Sequence, residues 1–252
     1  MKNLIINDLC IEVTRKCNLK CPHCMRGDSQ NISLNISHIE EFFNNSKFNL
    51  VSINRLIITG GEPTLNYKTI LNIIKIILKN NIKLKSFIMV INGSTYNNEL
   101  IEALNKLYQF KLKYDLEDTF DIICSLDQFH KSPKEEILEQ YNKLPYFKAN
   151  YRKLGEQDII CLGRAYLNKL GNIDTYYSTK ALFLYYLNNN YPIVYEDEKK
   201  VYLEELYLSS KGLFSFHIID ATYEMIDELC IYNHSDLNNI LNNVKKVKRK
   251  QK

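Results

Sequence analysis

The chain has 252 residues, 45% of them hydrophobic and 25% charged, with 33 basic against 29 acidic side chains. That length suits one large domain or a domain with an appendage, and the composition is that of an ordinary globular protein with room for a sizeable core. Six of the basic residues crowd into 244–252, so the body is nearly neutral, which argues against tight binding of long nucleic acid. The most apolar run, Ile70 to Leu78, is broken by Asn72 and Lys75, which excludes a membrane span there. Met1 to Asn7 lacks the pattern of an export signal. Seven cysteines then point to a reducing cytoplasm, where clustered thiols serve metal binding or catalysis rather than disulfides.

In chain order, Leu9 to Val13 reads as a first strand, followed by a cysteine-bearing loop and a helix marked by Ile36, Ile39 and Phe43. Arg55 to Thr59 reads as a buried strand ended by Gly60-Gly61, and Ile70, Ile73, Ile74 and Ile77 recur at helical spacing. Phe87 to Ile91 is a further strand, closed by Asn92-Gly93; Leu100, Ile101, Leu104 and Leu107 mark the next helix. After a strand over Phe120 to Leu126, Ser132-Pro133-Lys134-Glu135-Glu136 reads as a helix start with Ser132 as N-cap. Four β–α units in series predict a parallel sheet or barrel with outer helices. The loops at the strand C-termini are then the functional ones. The cysteine loop, 60–63, 92–94 and 127–130 all fall on that rim.

Past Leu144 the pattern weakens. Lys148 to Leu154 and Ile159 to Leu162 are strand candidates, and Thr179 to Tyr191 a helix candidate. Val201 to Ser209 and Leu213 to Ile219 suggest a hairpin turning at Lys211-Gly212, with a last helix over Asp236 to Val244.

Chemistry concentrates in Cys17-Asn18-Leu19-Lys20-Cys21-Pro22-His23-Cys24. Pro22 lacks an N–H and disfavours a helical Cys21, so the three thiols belong to a loop. Three thiolates suit an iron–sulfur cluster with one iron left open; zinc or a plain loop of buried cysteines are the alternatives. Zinc wants a further ligand, and neither the adjacent His23 nor Cys10 is well placed.

The spacing of Cys17, Cys21 and Cys24 resembles the cluster motif of the radical S-adenosylmethionine (radical SAM) superfamily. Gly60-Gly61-Glu62-Pro63, after the second strand, resembles that family's GGEP segment. The resemblance covers roughly residues 9 to 165. It implies a partial (β/α)6-type TIM barrel as residues 1–165, an α+β extension over 166–243 that completes or covers it, and a basic tail over 244–252. It also implies one 4Fe–4S cluster on the three cysteines and S-adenosylmethionine on the open iron. Reductive cleavage then yields a 5′-deoxyadenosyl radical that abstracts hydrogen, with electrons from a donor such as flavodoxin or ferredoxin.

By the same resemblance, Gly60 and Gly61 let the backbone approach the methionine amino group, Glu62 attracts that ammonium, and Pro63 stiffens the turn. His23 takes the place of an aromatic near adenine. Asn92 and Ser94 are further contacts. Ser125 and Asp127, two apart on a strand, point together toward ribose or the methionine carboxylate. Arg164, in Leu162-Gly163-Arg164-Ala165, matches a segment near adenine. Cys124 points the other way and reads as core. His130 reads first as loop packing and second as a substrate or proton contact; Lys16 and Arg26 read first as solvated charges beside the cysteines and second as attracting the anionic cluster and its electron donor.

The C-terminal third, with its hairpin, Cys230 and final helix, resembles a worn, SPASM-like region. Cys161 and Cys230 alone do not make a second cluster site. The resulting expectation is a radical enzyme acting on a peptide or protein. A nucleotide, nucleoside or other small-metabolite substrate, an activator of a partner enzyme, and a non-catalytic metal-binding scaffold are the competing readings.

Overall fold

The computed structural model describes residues 2–44, 48–114, 118–188, 193–197, 199–215, 220–242 and 245–247. Strands β1 (Asn3–Thr14), β2 (Asn49–Gly60), β3 (Lys83–Ile91), β4 (Phe120–Asp127) and β5 (Phe147–Arg152) alternate with helices α1 (Ile36–Asn44), α2 (Tyr67–Lys79), α3 (Asn98–Lys111) and α4 (Glu135–Asn142). The C-terminal part supplies α5 (Gly163–Leu167), α6 (Ile173–Asn188), β6 (Ile193–Glu196), β7 (Lys200–Ser209), β8 (Gly212–Phe214), α7 (Tyr223–Leu229), α8 (Leu237–Asn242) and β9 (Lys245–Val247). One sheet runs β5-β4-β3-β2-β1-β7-β6-β9, with β8 on β7. Neighbours from β5 through β1 to β7 are parallel; β7 is antiparallel to β6 and β8. This is the mixed α/β, mostly parallel sheet of a partial barrel.

The helices form where apolar residues recur at 3.6-residue spacing. Ile70, Ile73, Ile74 and Ile77 of α2 are buried, and α3 opens on Asn97, whose side chain accepts from the Leu100 N–H at 2.9 Å. Alternation along β1 splits the interior. Leu9, Ile11 and Val13 join the main core under α1 to α3, while Cys10 joins a second core with Ile57, Phe183, Tyr207, Phe214, Tyr223 and Ile226.

Several expectations are corrected. Helix α4 starts at Glu135 behind Lys134, with no side-chain cap, so Ser132 is not its N-cap; the residue before a proline is pushed to extended backbone. Residues 159–162 form no strand: a 3-10 turn covers Glu156–Asp158, and Ile160 makes one isolated bridge to Asn172. The strand that extends the parallel set is β7, paired with β1 on the side opposite β2. Helix α6 begins at Ile173, six residues earlier than expected. Part of the basic C-terminal run, Lys245–Val247, is strand β9 on β6. The expected ends of the α6 helix, of the hairpin's second strand over 216–219 and of the last helix at 243–244 lie outside the described residues. No helix among the described residues is long and apolar enough to cross a membrane.

Candidate functional site

The cysteine loop leaves β1 at the C-terminal rim of the parallel strands. Its base is tied by the Cys17 N–H to Ser29 Oγ (2.8 Å) and by the Gln30 N–H to the Arg15 carbonyl (3.1 Å). A turn in which the Cys24 N–H reaches the Cys21 carbonyl (3.2 Å) brings the thiols to one side. Three other segments hold the loop. The Asn92 side chain donates to Asn18 Oδ1 (2.9 Å) and Asn18 Nδ2 to Ser94 Oγ (2.7 Å). The Arg164 N–H donates to the Cys24 carbonyl (2.9 Å), and the Tyr223 N–H to the Arg26 carbonyl (3.3 Å).

Gly60 and Gly61 explain how β2 fits under this loop. A Cβ on Gly60 would lie 2.3 Å from the Thr14 carbonyl oxygen, and one on Gly61 2.3 Å from that of Lys16. Their N-terminal neighbours in space are thus β1 and the loop, which they let the backbone meet directly: the Gly61 N–H reaches Thr14 O and the Glu62 N–H reaches Lys16 O, each at 2.7 Å. Gly163 does the same from the other flank, with φ +53° and its would-be Cβ 2.5 Å from the Met25 carbonyl oxygen.

Glu62 is buried. Its Oε1 accepts from the Thr64 N–H (3.1 Å) and hydroxyl (2.5 Å), and Oε2 from the Asn92 N–H (2.7 Å). Burial still pushes its carboxyl upward against those bonds. Pro63 opens the 3-10 turn behind it.

A cavity of about 330 Å³ opens at this rim. Cys17, Cys21, Cys24, His23, Gly60, Gly61, Glu62, Asn92, Ser125 and Arg164 all line it. Asp127 stands one layer behind. Its Oδ2 takes the His130 Nδ1 at 2.8 Å and lies 3.7 Å from His23 Nε2, while Oδ1 accepts the Phe129 N–H at 3.0 Å. Burial alone would raise Asp127, but the His130 bond, the Phe129 N–H and the two imidazoles outweigh it and hold the carboxyl below the usual range. His23 packs on Phe129, ring centroids 4.8 Å apart, and burial lowers its pKa. Cys124 is core, as expected, with burial pushing its thiol to about 12.

Sequence reasoning missed three groups and misread a fourth, Arg26. Arg152 ends β5 and lines the cavity; the strand-end rule that found Ser125 would have found it. Asn18 is the loop's link to β3. Arg26 is buried, not solvated, and donates to the Ala221 carbonyl at 3.0 Å. Arg15 is fully buried beside Glu12 and Asp227 and carries no local signal.

Residues 11–145 match the family described as the radical SAM superfamily. The chain belongs to that family. Membership implies a 4Fe–4S cluster and S-adenosylmethionine as cofactors. No protein of curated function matches it in sequence. Among solved structures it is similar to "Native anSMEcpe with bound AdoMet and Cp18Cys peptide", with 15% identity, TM-score 0.42, 82% of this chain and 51% of that one covered. It is also similar to Streptococcus suis SuiB bound to precursor peptide SuiA, with 14% identity, TM-score 0.36, 83% of this chain and 59% of that one covered. The chain thus spans only about half to three-fifths of the length of these structures.

Cys17, Cys21 and Cys24 line one cavity, and three thiolates gathered there are a donor set that suits an iron–sulfur cluster. Burial raises Cys17 and takes Cys21 to about 11, while the charge of Arg164 pulls both down. Metal binding must displace protons here, and Arg164 is positioned to offset the negative charge of the thiolates.

Proposed function

We propose that this radical SAM enzyme modifies a side chain of a peptide or protein. The size of the cavity carries the proposal. About 330 Å³ lies at the low end of the roughly 300–1,000 Å³ usual for ligand sites, and a cofactor the size of S-adenosylmethionine uses most of it. The substrate then meets the rim, where one side chain of a long chain enters more readily than a whole metabolite. Strand β5 supports the same reading. It is the end strand of the sheet, Arg152 at its end lines the cavity, and Tyr151 is 69% exposed. An end strand presents backbone groups on which an extended peptide can pair.

Cys17, Cys21 and Cys24 would hold the cluster. When bound, the cluster and S-adenosylmethionine supply one-electron chemistry that removes hydrogen from unactivated C–H bonds. The chain's own part is to bind, orient and exclude water. Leu19, Ile91, Leu154 and Ile159 give the cavity apolar wall. Oε2 of Glu62 accepts the Asn92 N–H and keeps a lone pair for an ammonium group. Ser125, Asn92 and Arg164 are the polar contacts available to the cofactor, with His23 as its aromatic neighbour and Asp127 acting through the histidines. Gly60, Gly61 and Pro63 shape the wall rather than touch a ligand by side chain.

The seven free thiols suit a reducing cytoplasm and a low-potential donor such as flavodoxin or ferredoxin. The division at residues 165 and 243 belongs to this proposal as well, with one qualification: β7 pairs with β1, so the C-terminal part is a piece of the core sheet. Its β7–β8 hairpin and Cys230 are read as a SPASM-like remnant without a second cluster.

Anaerobic protein with reconstituted cluster, S-adenosylmethionine and a strong reductant tests the proposal through release of 5′-deoxyadenosine. Peptide fractions of a host extract should accelerate release, and protease treatment should abolish the acceleration. Acceleration that resides in the small-metabolite fraction and survives protease would overturn it.

A further inference from the structure

A second set of metal-ligating groups besides the cysteines stands at the cavity wall, two rings lining it and a carboxylate behind them. His23 comes from the cysteine loop, Asp127 from the end of β4, and His130 from the loop that follows. One ligand atom of each lies within 4.8 Å of the others. Asp127 Oδ2 is 2.8 Å from His130 Nδ1 and 3.7 Å from His23 Nε2. An ion with bonds of about 2.0–2.2 Å to such ligands sets them roughly 3.3–3.5 Å apart, a spacing these two distances bracket.

The surroundings are organised for it. Asp127 Oδ1 is fixed by the Phe129 N–H at 3.0 Å, which leaves Oδ2 between the two rings. Gln128 is pinned in both directions to Leu154, donating to its carbonyl at 2.7 Å and accepting its N–H at 2.9 Å, so the 128–130 loop is held against the segment that follows β5. Phe129 walls one side of His23. Fixed outer contacts of this kind orient ligands and sustain affinity at metal sites. Both rings are only 16% exposed, and both line the cavity. In the metal-free protein the Asp127–His130 contact is a hydrogen bond; binding an ion at Nδ1 moves that ring's proton to Nε2.

We propose that His23, Asp127 and His130 bind one divalent transition ion of the zinc or ferrous class, separate from the iron–sulfur cluster. Two imidazoles and one carboxylate are a borderline N/O set, suited to zinc, iron(II) or cobalt(II) and unsuited to calcium or magnesium. Three protein ligands leave at least one coordination position open, and it faces the cavity. An anionic group of the substrate, a thiolate or a carboxylate, completes the shell. The ion thus binds and orients the anionic substrate group presented at the rim. The ion site itself requires no S-adenosylmethionine chemistry; only the substrate role rests on the function proposed above.

The test uses the full chain with its cluster, dialysed anaerobically against a small excess of zinc and then against metal-free buffer. Metal analysis should find about one zinc per chain, and zinc-edge X-ray absorption should show a shell of nitrogen and oxygen without sulfur. His130→Ala and Asp127→Asn should each weaken zinc binding about tenfold or more. His38→Ala, at the stacked His38–His234 pair elsewhere, should not. Asp127→Asn keeps the side chain's shape, so it reads the site even if His130→Ala does not fold. No retained zinc, a sulfur-containing shell, or binding unchanged in Asp127→Asn would each overturn the proposal. Loss of iron with the nitrogen–oxygen zinc site intact would instead strike the cluster assignment.

Discussion

The backbone N–H of Asn92, at the end of β3, donates to Glu62 Oε2 at 2.7 Å, so a buried carboxylate joins the GGEP turn to the next strand end. Because Asn92 in turn holds Asn18, this one bond relays the position of β3 to the cysteine loop. Glu62→Gln places an amide NH2 where an N–H or hydroxyl already points, and should cost about 1–3 kcal/mol. Chemical denaturation reads that loss directly; a wild-type midpoint would show that the bracket is not stabilising.

Arg15 makes the corresponding tie on the other side of the loop. Its Nε meets Glu12 Oε1 at 2.7 Å, its two terminal nitrogens meet Asp227 at 2.6 and 3.1 Å, and its guanidinium lies 4.7 Å from the Tyr223 ring centroid. Removing one partner of a buried pair leaves the other uncompensated. Arg15→Met should therefore cost about 3–5 kcal/mol, and Asp227→Asn clearly less, since Asp227 is 39% exposed. Equal effects of the two changes in urea unfolding would contradict this ranking.

Gly163 carries a backbone conformation that side chains resist and sits against Met25 of the cysteine loop. Gly163→Ala should destabilise by about 1–2 kcal/mol from the left-handed φ alone. It should also lower the iron content after reconstitution, because the added methyl displaces the loop. Unchanged iron loading at wild-type stability would refute the close packing.

Acid stability should carry the mark of Asp127. Its folded pKa lies below its unfolded one, so its contribution is fully present above the unfolded value of about 3.9 and is lost as pH falls through the folded value. Stability measured against pH should fall less steeply in that acid range for Asp127→Asn than for the wild type. Parallel curves would mean that the carboxylate is not held by the imidazoles.

The parts of this molecule that sequence conveys are the local ones. Cysteine spacing, the Gly60 to Pro63 turn and the isoleucine rhythm of α2 each fit within one element, and strand-end logic then gathers them on one rim. What it does not convey is set by distant partners. Nothing near Arg15 announces Asp227, and nothing in β7 announces its insertion beside β1. Residues 159–162 have the composition of a strand, yet Ile160 finds a bridge partner only at Asn172, so the segment stays irregular. The glycines of the GGEP turn were readable as sites of close approach; that the approaching group is the backbone of Thr14 and Lys16 follows only from the packing.

Mössbauer spectroscopy of anaerobic protein reconstituted with isotopically enriched iron tests the central assignment most directly. The wild type and Cys10→Ala should both contain a cubane cluster, since Cys10 is buried in the second core with its thiol pushed to about 12. Replacing Cys17, Cys21 or Cys24 by Ala should abolish it. A wild type without the cubane signal, or an equal loss in Cys10→Ala, would contradict the account.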